Sequence, residues 1–260
     1  MFRRLIAGAI AVAAVGTACT SSGAAPNGSS SPAIAEPSVV ASPVQDGAYH
    51  PEIDPANFVS VIDNPYFPLT PGTSYTFEGV RDGAGQRDVF TVTGETKSIM
   101  GVTSTVIKDT ATVLKTGTII EVTSDWFAQD NQGNVWYMGE DTKLLNPDGS
   151  VKSTAGSWTG GVDGALPGIV MPGDLQIPST FKQEYYPGQA EDTAWFISKD
   201  QSAKVPYKTL DGGVVETLEW SPLEPEVIEK KYYAAGIGLV YSVSAAGEVE
   251  TAKLVSVEHA

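Results

Sequence analysis

The amino-acid sequence predicts an all-β protein in which an antiparallel meander forms a barrel or half-barrel. Strand-length runs rich in β-branched and aromatic residues follow one another at short intervals, and Gly, Asp or Asn separates most of them. No stretch after residue 20 carries a long helical stripe. The β-α-β alternation that is typical of a parallel sheet is also missing. One long glycine-rich loop is expected to lie across the sheet.

Eleven strands are predicted from these runs. Their limits are 73–81, 87–95, 102–109, 118–128, 134–140, 180–186, 192–198, 213–220, 226–234, 237–243 and 248–257. A stiff proline-containing segment, 64–72, leads into the first of them, because proline fixes φ and restricts the residue before it. Residues 57–62 are expected to form a short strand or a helical turn.

The N-terminus carries the features of a bacterial export signal. Arg3 and Arg4 precede an apolar run of 11 residues, 5–15, which is too short to span a bilayer. The sequence Gly16-Thr17-Ala18-Cys19 resembles a lipobox, in which the cysteine is fatty-acylated, for example with palmitate, and becomes the new N-terminus. Leucine is usual where this chain has Gly16, so an ordinary signal peptide with a stray cysteine is the alternative.

Three segments are therefore expected. Residues 1–19 are predicted to be a lipoprotein signal peptide, and 51–260 a single β-domain. Between them, 20–50 are rich in Ser, Ala, Pro and Gly and lack the apolar content to pack, so they are predicted to form a disordered tether. The predicted location is the outer face of the bacterial cell membrane, which the chain would contact through its N-terminal lipid only.

Charge and cysteine content exclude several classes of protein. The chain has 31 acidic and 16 basic residues, a net charge of −15, and removal of Arg3 and Arg4 with the leader makes this −17. Nucleic acid is therefore excluded as a partner, since phosphate binding needs basic patches. Cys19 is the only cysteine, so no disulfide can form within the chain and the domain must be stabilised by packing.

The hairpin at 118–141 is predicted to be the centre of both the core and any site. Its first arm alternates with period two, which is typical of a half-buried strand. The apolar face is expected to point into the core and consists of Ile120, Val122 and Trp126. The polar face is expected to be solvated and consists of Glu121, Thr123 and Asp125. The turn at 129–134 supplies residues that tolerate positive φ.

Two kinds of site are predicted around this hairpin. Trp126 and Trp136 are expected to pair across the two strands. Four acidic residues cluster nearby and are either a solvated face or a calcium site, since Ca²⁺ prefers several oxygen ligands: Asp125, Asp130, Glu140 and Asp141. The turn lacks EF-hand spacing. No other cofactor is predicted.

The region 146–178 interrupts the regular spacing of strands with a long, glycine-rich and apolar stretch at 156–173. Loops of this length are commonly functional, and an apolar one is expected to pack across the mouth of a sheet. It is predicted either to plug an open barrel end or to line a ligand pocket. The predicted ligand-binding residues are Trp126, Trp136, Trp158, Ile169, Met171 and Tyr185.

Two stretches carry a resemblance to a known group of proteins. Residues 67–77, FPLTPGTSYTF, and 231–240, KYYAAGIGLV, are similar to the opening and closing strands of uncharacterised secreted bacterial lipoprotein β-domains. Those strands have the patterns PL-x-x-G-x-x-W/Y-x-Y/F and Y-x-x-G-V/I-G-L-V. The resemblance implies an antiparallel barrel-like fold and implies no activity or catalytic residues.

The sequence favours a non-catalytic, lipid-anchored binding or envelope-associated module, with an apolar or aromatic small ligand or an envelope protein as partner. Histidine occurs only at His50 and His259, neither of which offers the ordered imidazole of a Ser-His-Asp arrangement. A carboxylate-based hydrolase such as a glycosidase is one alternative. Its candidate acids are Asp125, Glu140, Glu184, Glu191 and Glu219. A structural or protein-interaction domain without a small-molecule site is the other alternative.

Replacing Cys19 with alanine tests the predicted anchor. Because Cys19 is the only acceptor for the lipid, we expect Cys19→Ala to move the protein from the membrane fraction to the soluble extracytoplasmic fraction, as measured by fractionation and immunoblotting. Ser21→Ala, two residues away, is the control and should stay with the membrane. Retention of the Cys19→Ala protein on membranes would contradict lipid anchoring.

Overall fold

Sixteen strands and one short 3-10 turn make up the secondary structure of the computed structural model, which describes residues 49–81, 83–247 and 249–260. The predicted signal peptide, Cys19 and the tether up to residue 48 lie outside the described residues. The 3-10 turn is Pro55–Asn57, and the strands are β1 Phe58–Val59, β2 Thr73–Arg81, β3 Ala84–Ile99, β4 Val102–Val113, β5 Thr118–Asp130, β6 Val135–Leu145, β7 Val151–Ser153, β8 Trp158–Thr159, β9 Leu166–Met171, β10 Ser179–Lys182, β11 Glu184–Tyr185, β12 Thr193–Lys204, β13 Thr209–Trp220, β14 Ile228–Ala234, β15 Gly238–Ala246 and β16 Thr251–His259.

The sheet is antiparallel and nearly closed. Its thirteen-strand path runs β10-β12-β13-β14-β15-β16-β2-β3-β4-β5-β6-β9-β11. The two ends of this path, β10 and β11, are separated along the chain by Gln183 alone, so the sheet curls into a barrel. Gly168 makes that closure possible, because a Cβ there would lie 2.3 Å from the backbone carbon of Gln183. The predicted fold class is confirmed.

Most predicted strands match the structure, and β2 matches the predicted 73–81 at both ends. The main difference lies in 146–178, where β7, β8 and β9 form within the predicted loop. All three pair with β6, which gives this part of the chain backbone hydrogen bonds that a loop would lack. The 3-10 turn and β1 satisfy the expectation of a helical turn or short strand near residue 57. The described residues contain no helix long and apolar enough to cross a membrane.

One part of the barrel interior is apolar and is filled by the proline-containing segment 64–72. Asn64 anchors this segment, since its Nδ2 donates to the carbonyls of Gly133 at 2.9 Å and Pro172 at 3.1 Å. Phe67 then packs on Phe127, with ring centroids 5.4 Å apart. Phe127 stacks on Tyr137 at 4.8 Å. The prolines that prevent regular structure here therefore deliver aromatic side chains to the core.

A second part of the interior is charged, and the predicted orientation of β5 is wrong. Glu121, Thr123 and Asp125 are buried inside the barrel, whereas Ile120 and Val122 lie partly exposed on the outside. The period of two was correct but the faces are exchanged, because polar groups inside find partners. Tyr137 Oη donates to Asp125 Oδ1 at 2.6 Å, and Thr123 Oγ1 donates to Glu121 Oε1 at 3.2 Å.

Lys231 is a buried cation of this interior and is only 2% exposed. Its Nζ lies 2.7 Å from Glu219 Oε2 and 3.5 Å from Glu229 Oε2. Glu219 Oε1 also accepts hydrogen bonds from Thr217 Oγ1 at 2.9 Å and from Tyr233 Oη at 3.2 Å. Burial alone would lower the pKa of Lys231, but the Glu219 and Glu229 carboxylates raise it overall, so the ammonium stays charged.

Two further aspartates face the same interior, and Arg81 is the cation near both of them. Burial raises the pKa of Asp88, and the nearby Glu121 carboxylate adds to the rise while Arg81 and Gln86 oppose it. Burial raises the pKa of Asp109 further, since Asp88, Asp125 and Glu121 all add repulsion. The charged interior is therefore rich in acids, and this favours a bound proton on Asp109.

Lys230 and Lys231 form a matched pair for testing the buried network. Lys231→Met should lower the free energy of unfolding by about 3–5 kcal/mol, because it leaves two carboxylates buried without their cation. Lys230 lies 2.9 Å from Glu216 with its side chain 37% exposed. Glu216 is buried but also accepts from Tyr232 Oη at 3.1 Å, so Lys230→Met should cost less, about 1–2 kcal/mol. Urea unfolding followed by circular dichroism measures both. Equal losses in the two variants would show that Lys231 does not hold the interior together.

Candidate functional site

A cleft of about 390 Å³ lies where the β5–β6 hairpin meets the segment 157–163. It falls within the range of small-molecule sites, about 300–1,000 Å³. Strands β3, β5, β6 and β8 supply part of its lining, and the residue before β8 and the segments after β8 and β11 supply the rest. The lining residues are Lys97, Trp126, Glu140, Asp141, Ser157, Trp158, Thr159, Val162, Asp163 and Tyr186.

Trp126 forms one wall of the cleft, and a cation already lies on its ring. The Nζ atom of Lys97 is 3.1 Å from the centroid of the Trp126 ring, which is a close cation–π contact. The ring also belongs to an apolar cluster with Val106, Ala128 and Met138 and is only 5% exposed. Burial lowers the pKa of Lys97, and the Asp141 carboxylate opposes this shift.

Trp158 links the cleft to the interior of the barrel. Its Nε1 donates to Glu184 Oε2 at 2.8 Å, and its ring meets Tyr137 edge-on at 5.4 Å. Strand β8 can approach β6 this closely because residue 139 is glycine with φ of 135°. A Cβ on Gly139 would lie 2.5 Å from the carbonyl oxygen of Trp158. The position of this tryptophan is therefore fixed from several sides.

Three acidic residues complete the lining. Glu140 is buried on β6. Asp141 follows it, and its Oδ2 accepts from Lys143 Nζ at 2.8 Å. Asp163 is exposed and has φ of 51°, a left-handed conformation that aspartate tolerates better than most residues. Carboxylates, one ammonium and aromatic rings therefore share the cleft, which suits a ligand with both polar and apolar parts.

Four of the ten predicted site residues line this cleft: Trp126, Trp158, Glu140 and Asp141. The other six lie elsewhere. Met171 is fully buried in the main core, and Ile169 pairs with Trp136 across β6 and β9. Trp136 packs on Phe58 with ring centroids 6.3 Å apart. Tyr185 lies beneath Lys182, whose Nζ is 4.9 Å from its ring.

The two tryptophans of the hairpin do not pair directly as predicted. Register places Gly139 opposite Trp126, and Ala128 opposite Trp136. A bulge between Trp126 and Phe127 shifts the register at this point. Trp136 lies beside the turn instead, where its Nε1 donates to Asp130 Oδ2 at 2.8 Å.

Asp130 stabilises the turn of the hairpin. Its Oδ1 accepts from the backbone N–H groups of Gln132 and Asn134, both at 2.9 Å. Its Oδ2 accepts from Asn134 Nδ2 and Trp136 Nε1, both at 2.8 Å. Both carboxylate oxygens are thus used by the protein itself. Asp125 is engaged by Tyr137 inside the barrel.

The described residues contain no group of three or more His, Cys, Asp or Glu side chains arranged to hold a metal ion. The predicted calcium ligands are accordingly dispersed over the cleft, the barrel interior and the turn. Calcium binding stays a prediction.

Lys97, Asp163 and Tyr186 were missed by the sequence analysis. Lys97 comes after an irregularity in the β3–β4 register between Val92 and Thr96, which no local sequence pattern locates. Asp163 had a usable signal, because it lies in the glycine-rich stretch that was predicted to line a pocket. Tyr186 is the neighbour of the predicted Tyr185 and follows the end of β11, so the choice between the two depends on how the chain leaves that strand.

Comparison with known proteins gives fold-level likenesses only. No protein-family model matches the chain, and no curated protein sequence matches it. One similar solved structure is a "putative exported protein with YmcC-like fold" from Bacteroides fragilis, with 15% identity, a TM-score of 0.43, and coverage of 74% of this chain and 98% of that chain. Another is a "putative lipoprotein" from Parabacteroides distasonis, also with 15% identity and a TM-score of 0.43, covering 75% and 99%. Neither likeness bears on the ligand or activity of this chain.

Asp130 offers a test of the calcium hypothesis. We expect Asp130→Ala to lower the free energy of unfolding by about 2–4 kcal/mol, because several hydrogen bonds to a charged acceptor are lost. The loss should be the same with calcium and with a chelator, as measured by thermal unfolding in each buffer. The control is Asp148→Ala, which removes an exposed turn aspartate that accepts from Ser150 and should have a smaller effect. A calcium-dependent stabilisation that disappears in Asp130→Ala would instead identify Asp130 as a metal ligand.

Proposed function

We propose that this protein is a non-catalytic, extracytoplasmic binding module that is anchored to the membrane by a lipid on Cys19. The cleft between the β5–β6 hairpin and residues 157–163 is its ligand site. The leader, the single cysteine and the polar tether of the sequence support the location. The observation that carries the binding function is the cleft of about 390 Å³ with aromatic walls and a rigid frame.

The cleft is a better ligand site than the apolar interior. The apolar gap between the segment 64–72 and strands β2 and β3, lined by Phe67, Tyr75 and Phe90 among others, measures only about 20 Å³. Such a gap holds about one water molecule. The sequence suggested an apolar or aromatic ligand, but the mixed lining of the cleft favours one that combines an apolar part with a polar or charged group.

Binding is favoured over hydrolysis because most of the candidate acids have structural partners. Glu219 pairs with Lys231, Glu184 accepts from Trp158, and Asp125 accepts from Tyr137. Glu191 accepts from the backbone N–H of Gly188 at 2.6 Å. Of the five, only Glu140 lies in the cleft lining. A glycosidase needs two carboxylates on opposite sides of its substrate. No two of these five candidate acids meet in the cleft, where the other acids are Asp141 and Asp163, and this favours a binding role.

Filling the cleft tests this proposal. Val162 lines the cleft and is 51% exposed, so Val162→Trp should occupy part of the cleft without disturbing the core. Val151 on β7 is 52% exposed and is not among the lining residues, which makes Val151→Trp the matched control. Native mass spectrometry of the purified full-length chain should detect a co-purified small molecule in the wild type and in Val151→Trp. Its occupancy should fall strongly in Val162→Trp.

Two outcomes would contradict the proposal. A co-purified molecule that stays bound in Val162→Trp would place the site elsewhere. If the wild type carries no molecule and binds none from a metabolite library, the structural or protein-interaction alternative would be favoured. Circular dichroism and thermal unfolding of both tryptophan variants would show that a lost ligand does not reflect misfolding.

A further inference from the structure

We propose that the cleft is selective for small organic cations that carry an alkylammonium group, and that such a ligand takes the place of Lys97 on Trp126. This inference rests on the proposed function, since it names the ligand class of the same cleft. The lysine ammonium acts as an internal occupant that leaves the ring when the ligand arrives.

The position of Lys97 shows that the Trp126 ring can bind a cation. An ammonium lies 3.1 Å from the ring centroid, close to the geometry in which the ring quadrupole attracts a cation best. Trp126 is fixed by its apolar cluster and cannot turn away. A quaternary ammonium is more easily stripped of water than a lysine ammonium, so it gains more from the same ring.

The charge of the lining favours a cation over an anion. Asp141 and Asp163 contribute two carboxylates, and Lys97 is the one basic residue of the ten in the lining, which leaves a formal charge of −1. The carboxylate oxygens of Glu140 are buried from solvent and are not counted. The ion pair of Asp141 with Lys143 lies at the surface, with side chains 47% and 41% exposed, and solvent weakens it. An anionic ligand would meet repulsion from these groups, whereas a cation would replace the charge that Lys97 takes away.

Lys97 is placed so that it can leave without disturbing the barrel. It follows the register irregularity between Val92 and Thr96. Residues 94, 95, 96 and 98 around it are exposed. A lysine side chain has a long flexible stem and a head that prefers water. Displacement therefore needs only side-chain rotation, while the tryptophan and the carboxylates stay in place.

The test uses choline as the cation and 3,3-dimethyl-1-butanol as its neutral isostere. The full-length chain is labelled with ¹³C-lysine and observed by NMR, since the Trp126 ring current shifts the Lys97 side-chain resonances upfield. Choline should move these resonances to the positions of a solvent-exposed lysine, and the neutral alcohol should not. Lys97→Met keeps an apolar chain on the ring and removes the competing charge. It should bind choline about two- to fivefold more tightly, the factor expected for one cation–π contact.

The matched control is Lys108→Met, which removes a surface lysine whose Nζ is 3.6 Å from Glu95 on the same pair of strands and should leave choline affinity unchanged. Equal binding of choline and the alcohol, or weaker choline binding by Lys97→Met, would overturn the selectivity for cations. If a co-purified neutral molecule is lost from Val162→Trp while choline does not bind, the cleft is confirmed and the cation inference fails. If neither ligand is found, the proposed function fails as well.

Discussion

The ion pairs of Lys231 with Glu219 and Glu229 determine how this barrel can be filled. An eight-stranded barrel is just narrow enough for its own side chains to fill it, whereas a much wider one encloses a channel. The thirteen-strand path lies between these cases. The protein fills the extra space in two ways, with the proline-containing segment 64–72 and with long charged side chains that pair on the neighbouring strands β13 and β14. Removing the central cation would leave carboxylates in a low-dielectric space with little to compensate them.

The sequence predicts where the strands lie, but it does not predict which face of β5 points into the barrel. Strand positions follow from local patterns, and β2 was placed correctly at both ends because Gly72 and Gly83 flank it. The inward face of β5 was not predictable by the same means. Alternation in residues 120–126 defines two faces, and the usual assumption is that the apolar face points inward. The hydroxyl that stabilises Asp125 inside the barrel belongs to Tyr137 on the next strand. A bulge in this strand pair sets the register there, so the alternation of β5 alone does not report the inward face.

For the candidate site, the sequence likewise predicts the chain segments involved but not the position of each side chain. Trp126, Glu140, Asp141 and Trp158 come together because the hairpin and the glycine-rich stretch pack against one sheet, and the sequence indicated both elements. The position of each side chain depends on bulges, as in the shift between Trp126 and Phe127. Trp136 packs against the same apolar cluster as Trp126. The register places Trp136 opposite Ala128, nearer the turn, where it bonds to Asp130 while Trp126 lines the cleft. Lys97 enters the site through a second irregularity of this kind.

Because β2 pairs with β16, the barrel can close only after the C-terminal strand is available for folding. Thr73 lies opposite His259, and Thr251 lies opposite Val80, so the first long strand of the barrel is completed by the last. Contacts this far apart in sequence form slowly, because a long loop must close before they contribute. A chain that emerges N-terminus first from a ribosome or a translocation channel keeps β2 and β15 as open edges until Thr251 and the residues after it arrive. Until that moment the chain depends on chaperones or on low concentration to avoid edge-to-edge association.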